Sequence, residues 1–146
     1  APHLPVDAVI QTDAFTEGRL IEHPHTLEVE AGLQGSEAAA DNAYWLSRAF
    51  LAATGAISAP GADDVLDAGG REDVSVFRLR DRIPKPEAEA YEVFARNFER
   101  VESGERFAAA DGEPLLADEP FYPVLLSPNG YRDQFGYVAD RVGTLE

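Results

Sequence analysis

Glu30 ends an alternating stretch, Thr26-Leu27-Glu28-Val29-Glu30-Ala31, which two glycines then break, Gly32-Leu33-Gln34-Gly35. A carboxylate in such a place suits a general base that takes the proton of a water activated by a metal supplied elsewhere. The plainer reading of Glu28 and Glu30 is a solvated strand face. Arg19 lies upstream, and Tyr122-Pro123 lies near the end of the chain. His25-Thr26-Leu27-Glu28 matches His-x-x-Glu in form, but residues three apart in an extended segment point to opposite faces. His23 and His25 share a face and lack a third ligand, so no metal ligands are assigned within this chain. There is no cysteine, and no serine sits in a Gly-x-Ser-x-Gly elbow. Neither Gly69-Gly70 nor the Gly32–Gly35 pair has the lysine or the spacing of a phosphate loop.

The elements that would position Glu30 follow from the pattern. Leu27, Val29 and Ala31 alternate with Thr26, Glu28 and Glu30, which predicts a strand. Gly32 and Gly35 end it, Ser36 is a good N-cap, and an Ala-rich helix is predicted over 36–54. A strand–turn–helix unit places the last strand residues at the carboxyl edge of a sheet, where open α/β folds bind ligands. Ala40, Ala43, Tyr44, Phe50 and Leu51 form an apolar stripe at helical spacing, and Tyr44 and Trp45 read as core rather than as a ligand platform.

Val6–Thr12 reads as a strand, and 13–18 as a loop. Ser58–Arg71, rich in Gly, Pro and Asp, reads as a linker. Val74–Arg80 alternates as a strand, with Pro84 and Pro86 ending the run. Tyr91, Phe94 and Phe98 fit either helix or strand. Turn sequences around Ser103-Gly104 and Asp111-Gly112 separate short apolar runs, as in a compact β-domain. Phe121–Leu126 is a last apolar run before the turn Ser127-Pro128-Asn129-Gly130. The expected fold class is mixed α/β. Residues 1–57 form a βα piece of a larger α/β sheet, 58–72 the linker and 73–146 a β-rich C-terminal domain.

The chain of 146 residues carries 27 acids against 12 basic residues, of which Lys85 is the single lysine, for a net charge of −15. Such a surface repels phosphate backbones and argues against nucleic-acid partners. Dispersed acids with almost no lysine suggest adaptation to high salt, where ions screen the self-repulsion. An apolar fraction of 45% is that of a folded protein. No apolar run approaches the ~18 residues that would span a bilayer, and the N-terminus lacks the features of a signal peptide. The expectation is a soluble, cytoplasmic protein without a membrane partner. Self-association into a homo-oligomer is left open.

Two regions together resemble the succinylglutamate desuccinylase/aspartoacylase family, zinc-dependent amide hydrolases with a carboxypeptidase-like fold. Val29–Gly35 and the following helix resemble the family's Glu-x-Gly segment. Asn97-Phe98-Glu99-Arg100-Val101 through Gly104-Glu105, Asp111-Gly112 and Phe121-Tyr122-Pro123-Val124-Leu125 resemble its C-terminal β-domain. The resemblance implies that Glu30 is the catalytic acid/base, that Tyr122 contacts substrate, and that Arg19 matches the arginine holding the substrate carboxylate. Glu28 stands where the family often has a small residue, and the Glu-x-Gly spacing favours Glu30 over it. The family's zinc-binding His-x-x-Glu loop and later histidine have no counterpart here.

The resemblance therefore implies the C-terminal half of a zinc-dependent deacylase that cleaves the amide of N-acyl amino acids or related small acidic substrates. An excised or truncated chain fits this reading. Zinc would belong to the full-length enzyme, the missing N-terminal half of the catalytic domain would be a partner, and the isolated chain would be inactive. The alternative from a different class is a non-catalytic β-domain module that binds a partner protein or ligand.

Overall fold

Helix α1 spans Glu37–Ala53 and begins where the sequence places its cap. Ser36 is extended (φ −83°, ψ 148°), its Oγ accepts the Ala39 amide at 3.1 Å, and Glu37 sits in the positive first turn. The computed structural model describes residues 4–12, 15, 23, 26–57 and 73–145. Seven strands accompany the helix among them: β1 (Ala8–Gln11), β2 (Val74–Pro84), β3 (Tyr91–Val93), β4 (Arg106–Ala110), β5 (Glu113–Leu116), β6 (Tyr122–Val124) and β7 (Gln134–Leu145). The fold is mixed α/β and mostly strand. The expected linker, 58–72, lies outside the described residues.

The chain divides into two compact units that interleave in sequence. One comprises Ala1–Val9, Thr16–Val76 and Gly143–Glu146; the other comprises Ile10–Phe15 and Phe77–Val142. Strand order is β1-β2-β7-β6 in one sheet and β3-β4-β5 in the other.

In the second unit, β3, β4 and β5 form an antiparallel meander, with Tyr91 opposite Ala110 and Ala110 opposite Glu113. Asp111 and Gly112 both take positive φ in the β4–β5 connection, as a primed hairpin turn requires. The Asp111 carboxylate also accepts the amides of Glu89 and Ala90, at 3.0 and 2.8 Å, and so ties the start of β3 to this hairpin. The core gathers Ile83, Val101, Phe107, Ala108, Ala117, Phe121, Leu126 and Phe135. Phe107 and Phe121 meet edge to face at 5.5 Å, and so do Tyr91 and Phe135. Where β7 passes the end of β6, a Cβ on Gly136 would lie 2.7 Å from the Val124 carbonyl oxygen and 2.8 Å from that of Leu125. Only glycine allows this approach of two backbones.

In the first unit a small cluster of Leu4, Leu46 and Ala49 is buried, with Val6 and Phe50 packed against it. Two expectations are corrected here. The buried face of α1 is Leu46 and Ala49, whereas Ala40, Ala43, Tyr44 and Leu51 are exposed, and Trp45 is 51% exposed. Tyr44 and Trp45 stack on each other at 5.4 Å rather than in the core. Residue size misled the reading: the covered face is the one that meets Leu4, not the one with the largest side chains. The second correction is that Thr26–Ala31 is not a strand. Alternation sets which residues share a face, but a strand also needs a neighbour to share its hydrogen bonds.

Candidate functional site

Glu30 lies in that strand-like but unpaired segment, and the turn after it is firmly built. The Asn42 side-chain amide donates to the Ala31 carbonyl at 2.9 Å, which ties the segment to α1. Gly32 takes φ +133°, a backbone conformation that favours glycine, and a Cβ there would touch the Ala39 methyl at 3.4 Å. Ser36 closes the turn, its hydroxyl donating to the Leu33 carbonyl at 2.9 Å and its amide donating to the same oxygen at 3.1 Å. The Glu-x-Gly sequence thus has a local reason: the glycine turns the chain tightly onto the first turn of the helix.

A groove of about 290 Å³ runs along this unit, lined by Leu4, Leu27, Val29, Ala31, Ala43, Leu46, Ser47 and Phe50. The odd-numbered residues of the segment face it. Glu28 and Glu30 do not line it, and both are exposed. Glu30 enters no ion pair or hydrogen bond among the described residues.

Arg48 is the one Arg or Lys among the described residues of this unit, and sequence reasoning passed over it. Its Nη1 donates to the Tyr44 hydroxyl at 3.3 Å, its guanidinium lies 5.7 Å from the Tyr44 ring, and its buried Nε has no hydrogen-bond partner. The i, i+4 spacing of Tyr44 and Arg48 was the available signal.

Tyr122 belongs to the second unit. It opens β6 opposite Ala139 of β7 and is half-buried. Its ring lies 5.4 Å from Phe77, which lies 5.1 Å from Phe98. The Phe98 amide donates to the Pro123 carbonyl at 2.9 Å, and Asn97 brackets Leu126 by accepting its amide at 2.7 Å. Arg19 and His25 lie outside the described residues.

Three comparisons bear on these residues. No protein-family profile matches the chain, and no curated protein matches it. Among solved structures it is similar to murine aminoacylase 3, at 15% identity and a TM-score of 0.45, over 82% of this chain and 43% of that one. A point mutant of the same protein matches with equal identity and TM-score, over 80% of this chain and 40% of the mutant's. The chain therefore spans about two fifths of the length of these two structures. A likeness this slight assigns neither family nor activity.

The zinc that the sequence resemblance implies does not fit the residues described here. His23 is exposed, and no three of His, Cys, Asp and Glu converge among the described residues. No helix among them is long and apolar enough to cross a membrane.

Proposed function

We propose that the chain is the C-terminal portion of an amide hydrolase acting on N-acyl amino acids or related small acidic substrates, with Glu30 as its acid/base. The observation that carries this reading is the Glu30-Ala31-Gly32 turn: an exposed carboxylate, unpaired among the described residues, two residues before a glycine whose neighbours Ala31 and Leu33 are tied down by Asn42 and Ser36. The Glu-x-Gly and Tyr-Pro-Val resemblances of the sequence support it. Glu30 takes a proton from the attacking water as the oxygen–carbon bond forms. It returns that proton to the amine nitrogen as the carbon–nitrogen bond breaks. Tyr122 and Arg19 hold the acidic substrate. Zinc, where the complete enzyme holds it, has its ligands elsewhere, and the proton transfers above are those of Glu30 alone.

The test is Glu30→Gln in the complete enzyme, which keeps shape and removes the proton acceptor. Loss of a general base typically costs about 10²–10⁴-fold, so kcat should fall by that order with KM little changed. Glu28→Gln should retain most activity. An unaffected Glu30→Gln enzyme, or a dead Glu28→Gln enzyme, would sink the assignment.

A further inference from the structure

The segment that carries Glu30 has the alternation of a strand, and its odd-numbered residues line a groove beside α1, yet nothing pairs with it among the described residues. Thr26 donates its amide to the His23 carbonyl at 3.3 Å, and the Ala31 carbonyl is taken by Asn42. Between them, Leu27, Glu28, Val29 and Glu30 make no backbone hydrogen bond among the described residues. A row of unpaired amides and carbonyls is a template for another strand. On one side Leu27 and Val29 stay 51% and 44% exposed beside a groove floored by Ala43, Leu46 and Phe50. On the other side stand two carboxylates.

We infer that Leu27–Glu30 is an edge awaiting a strand from another polypeptide segment, one whose apolar residues alternate with lysine or arginine. The apolar residues of that strand lie in the groove against α1, completing a sheet-on-helix layer. Its basic residues stand on the opposite face, beside Glu28 and Glu30. Charge selects this occupant: residues 26–57 hold four acids (Glu28, Glu30, Glu37, Asp41) against the single base Arg48. A second copy of the chain is the wrong occupant, because antiparallel self-pairing would set glutamates opposite glutamates, and like charges directly opposite destabilise a sheet. The inference does not depend on the amide-hydrolase reading, which concerns proton transfer by Glu30.

A short synthetic peptide alternating valine and lysine is the probe, with three controls. These are the same peptide N-methylated at alternate amides, a valine–glutamate peptide, and the Val29→Pro protein, which lacks one donor of the edge. Titration should show the valine–lysine peptide binding at least about tenfold tighter than each control. Hydrogen exchange should slow at amides within 27–30 and not in β4 or β5. Equal binding of the N-methylated peptide would mean attraction by charge alone and would overturn the inference, as would slowed exchange elsewhere or no binding. Concentration-dependent dimerisation that protects the same amides would replace the basic strand with a second copy. Each result is read without catalysis, so it leaves the outcome for Glu30→Gln separate.

Discussion

The two units of this chain bury their apolar residues to different degrees. In the unit of Ile10–Phe15 and Phe77–Val142, Phe135, Val124 and Ala108 are fully shut away, and Phe107 and Phe121 close on each other within the same core. In the other unit the buried cluster among the described residues is Leu4, Leu46 and Ala49, and Val74 and Val76 are buried at the start of β2. Leu27, Leu33, Tyr44, Trp45 and Leu51 remain exposed there. Soluble surfaces always carry some apolar atoms. With Val29, six large apolar side chains within 27–51 are exposed, and exposed apolar surface of this extent is where another molecule binds. The β-rich unit leaves only Phe94, Leu116 and Val142 exposed among its described large apolar residues, half the number found within 27–51.

The largest expected effect lies in the closed core. Phe135→Ala removes a ring of zero exposure that meets Tyr91 edge to face, with Val101, Phe107 and Phe121 in the same cluster. A cavity of this kind costs about 3–5 kcal/mol, so the urea midpoint followed by circular dichroism should fall steeply or the variant should not fold. A loss under about 1 kcal/mol, the size of an ordinary surface change plus relaxation, would mean that this core is looser than its burial indicates.

Next comes Gly136→Ala. The new methyl would meet two backbone oxygens at 2.7 and 2.8 Å, and backbone cannot step aside as a side chain can. Overpacking of this kind costs about 1–3 kcal/mol. The same denaturation experiment measures it, and Gly143→Ala, with open space around its Cβ position, is the matched control on β7. Equal effects at both glycines would argue that strand propensity, rather than the close approach to β6, is being read.

How much of this was legible beforehand depended on whether a signal was local. Ser36 and the acids after it mark the start of α1, Val74–Arg80 alternates, and Ser127-Pro128-Asn129-Gly130 encodes a turn in which the Ser127 hydroxyl accepts the Gly130 amide at 3.0 Å. These are statements about neighbours in sequence, and the chain obeys them. The side of α1 that is covered depends on Leu4, more than forty residues away in sequence, and no periodicity within the helix reports that. Lys85 shows the same limit of local signals. Its Nζ donates to the Pro128 and Tyr131 carbonyls at 2.7 and 2.6 Å and lies 4.8 Å from the Tyr91 ring centre, and no neighbour in sequence reports those contacts. At the candidate site, the glycine turn after Glu30 was visible in the sequence. The absence of a pairing strand beside it among the described residues was not, because pairing is a property of two segments and alternation belongs to one.

A third change tests the helical unit on its strongest local feature. Ser36→Ala removes the hydroxyl that caps Ala39 and reaches Leu33, and caps of this type are worth about 1 kcal/mol. The fluorescence of Trp45, the only tryptophan in the chain, reports this unit directly. Its transition should shift to lower urea in Ser36→Ala, while Ser36→Gly should recover most of the loss because glycine is itself a fair cap. A silent Ser36→Ala would mean that the turn is held by Asn42 and the Ser36 amide without the cap.

The smallest expected effect is the sharpest test of the contrast between the units. Leu33 stands 81% exposed in the turn between Gly32 and Ser36 and contributes its carbonyl, not its side chain, to the cap. Replacing an exposed side chain that makes no buried contact usually moves stability by no more than about 0.5 kcal/mol. Leu33→Ser should therefore leave the Trp45 transition in place, even though it exchanges leucine for a polar residue beside the helix. The measurement should be repeated over a range of protein concentrations. A stability loss of about 2 kcal/mol, the scale of burying a whole leucine side chain, would show that Leu33 is covered in solution. If that loss grew with protein concentration, the cover would be another copy of the chain. If it did not, the side chain would be packing within its own unit, and the contrast between a closed unit and an open one would fail at its most exposed residue.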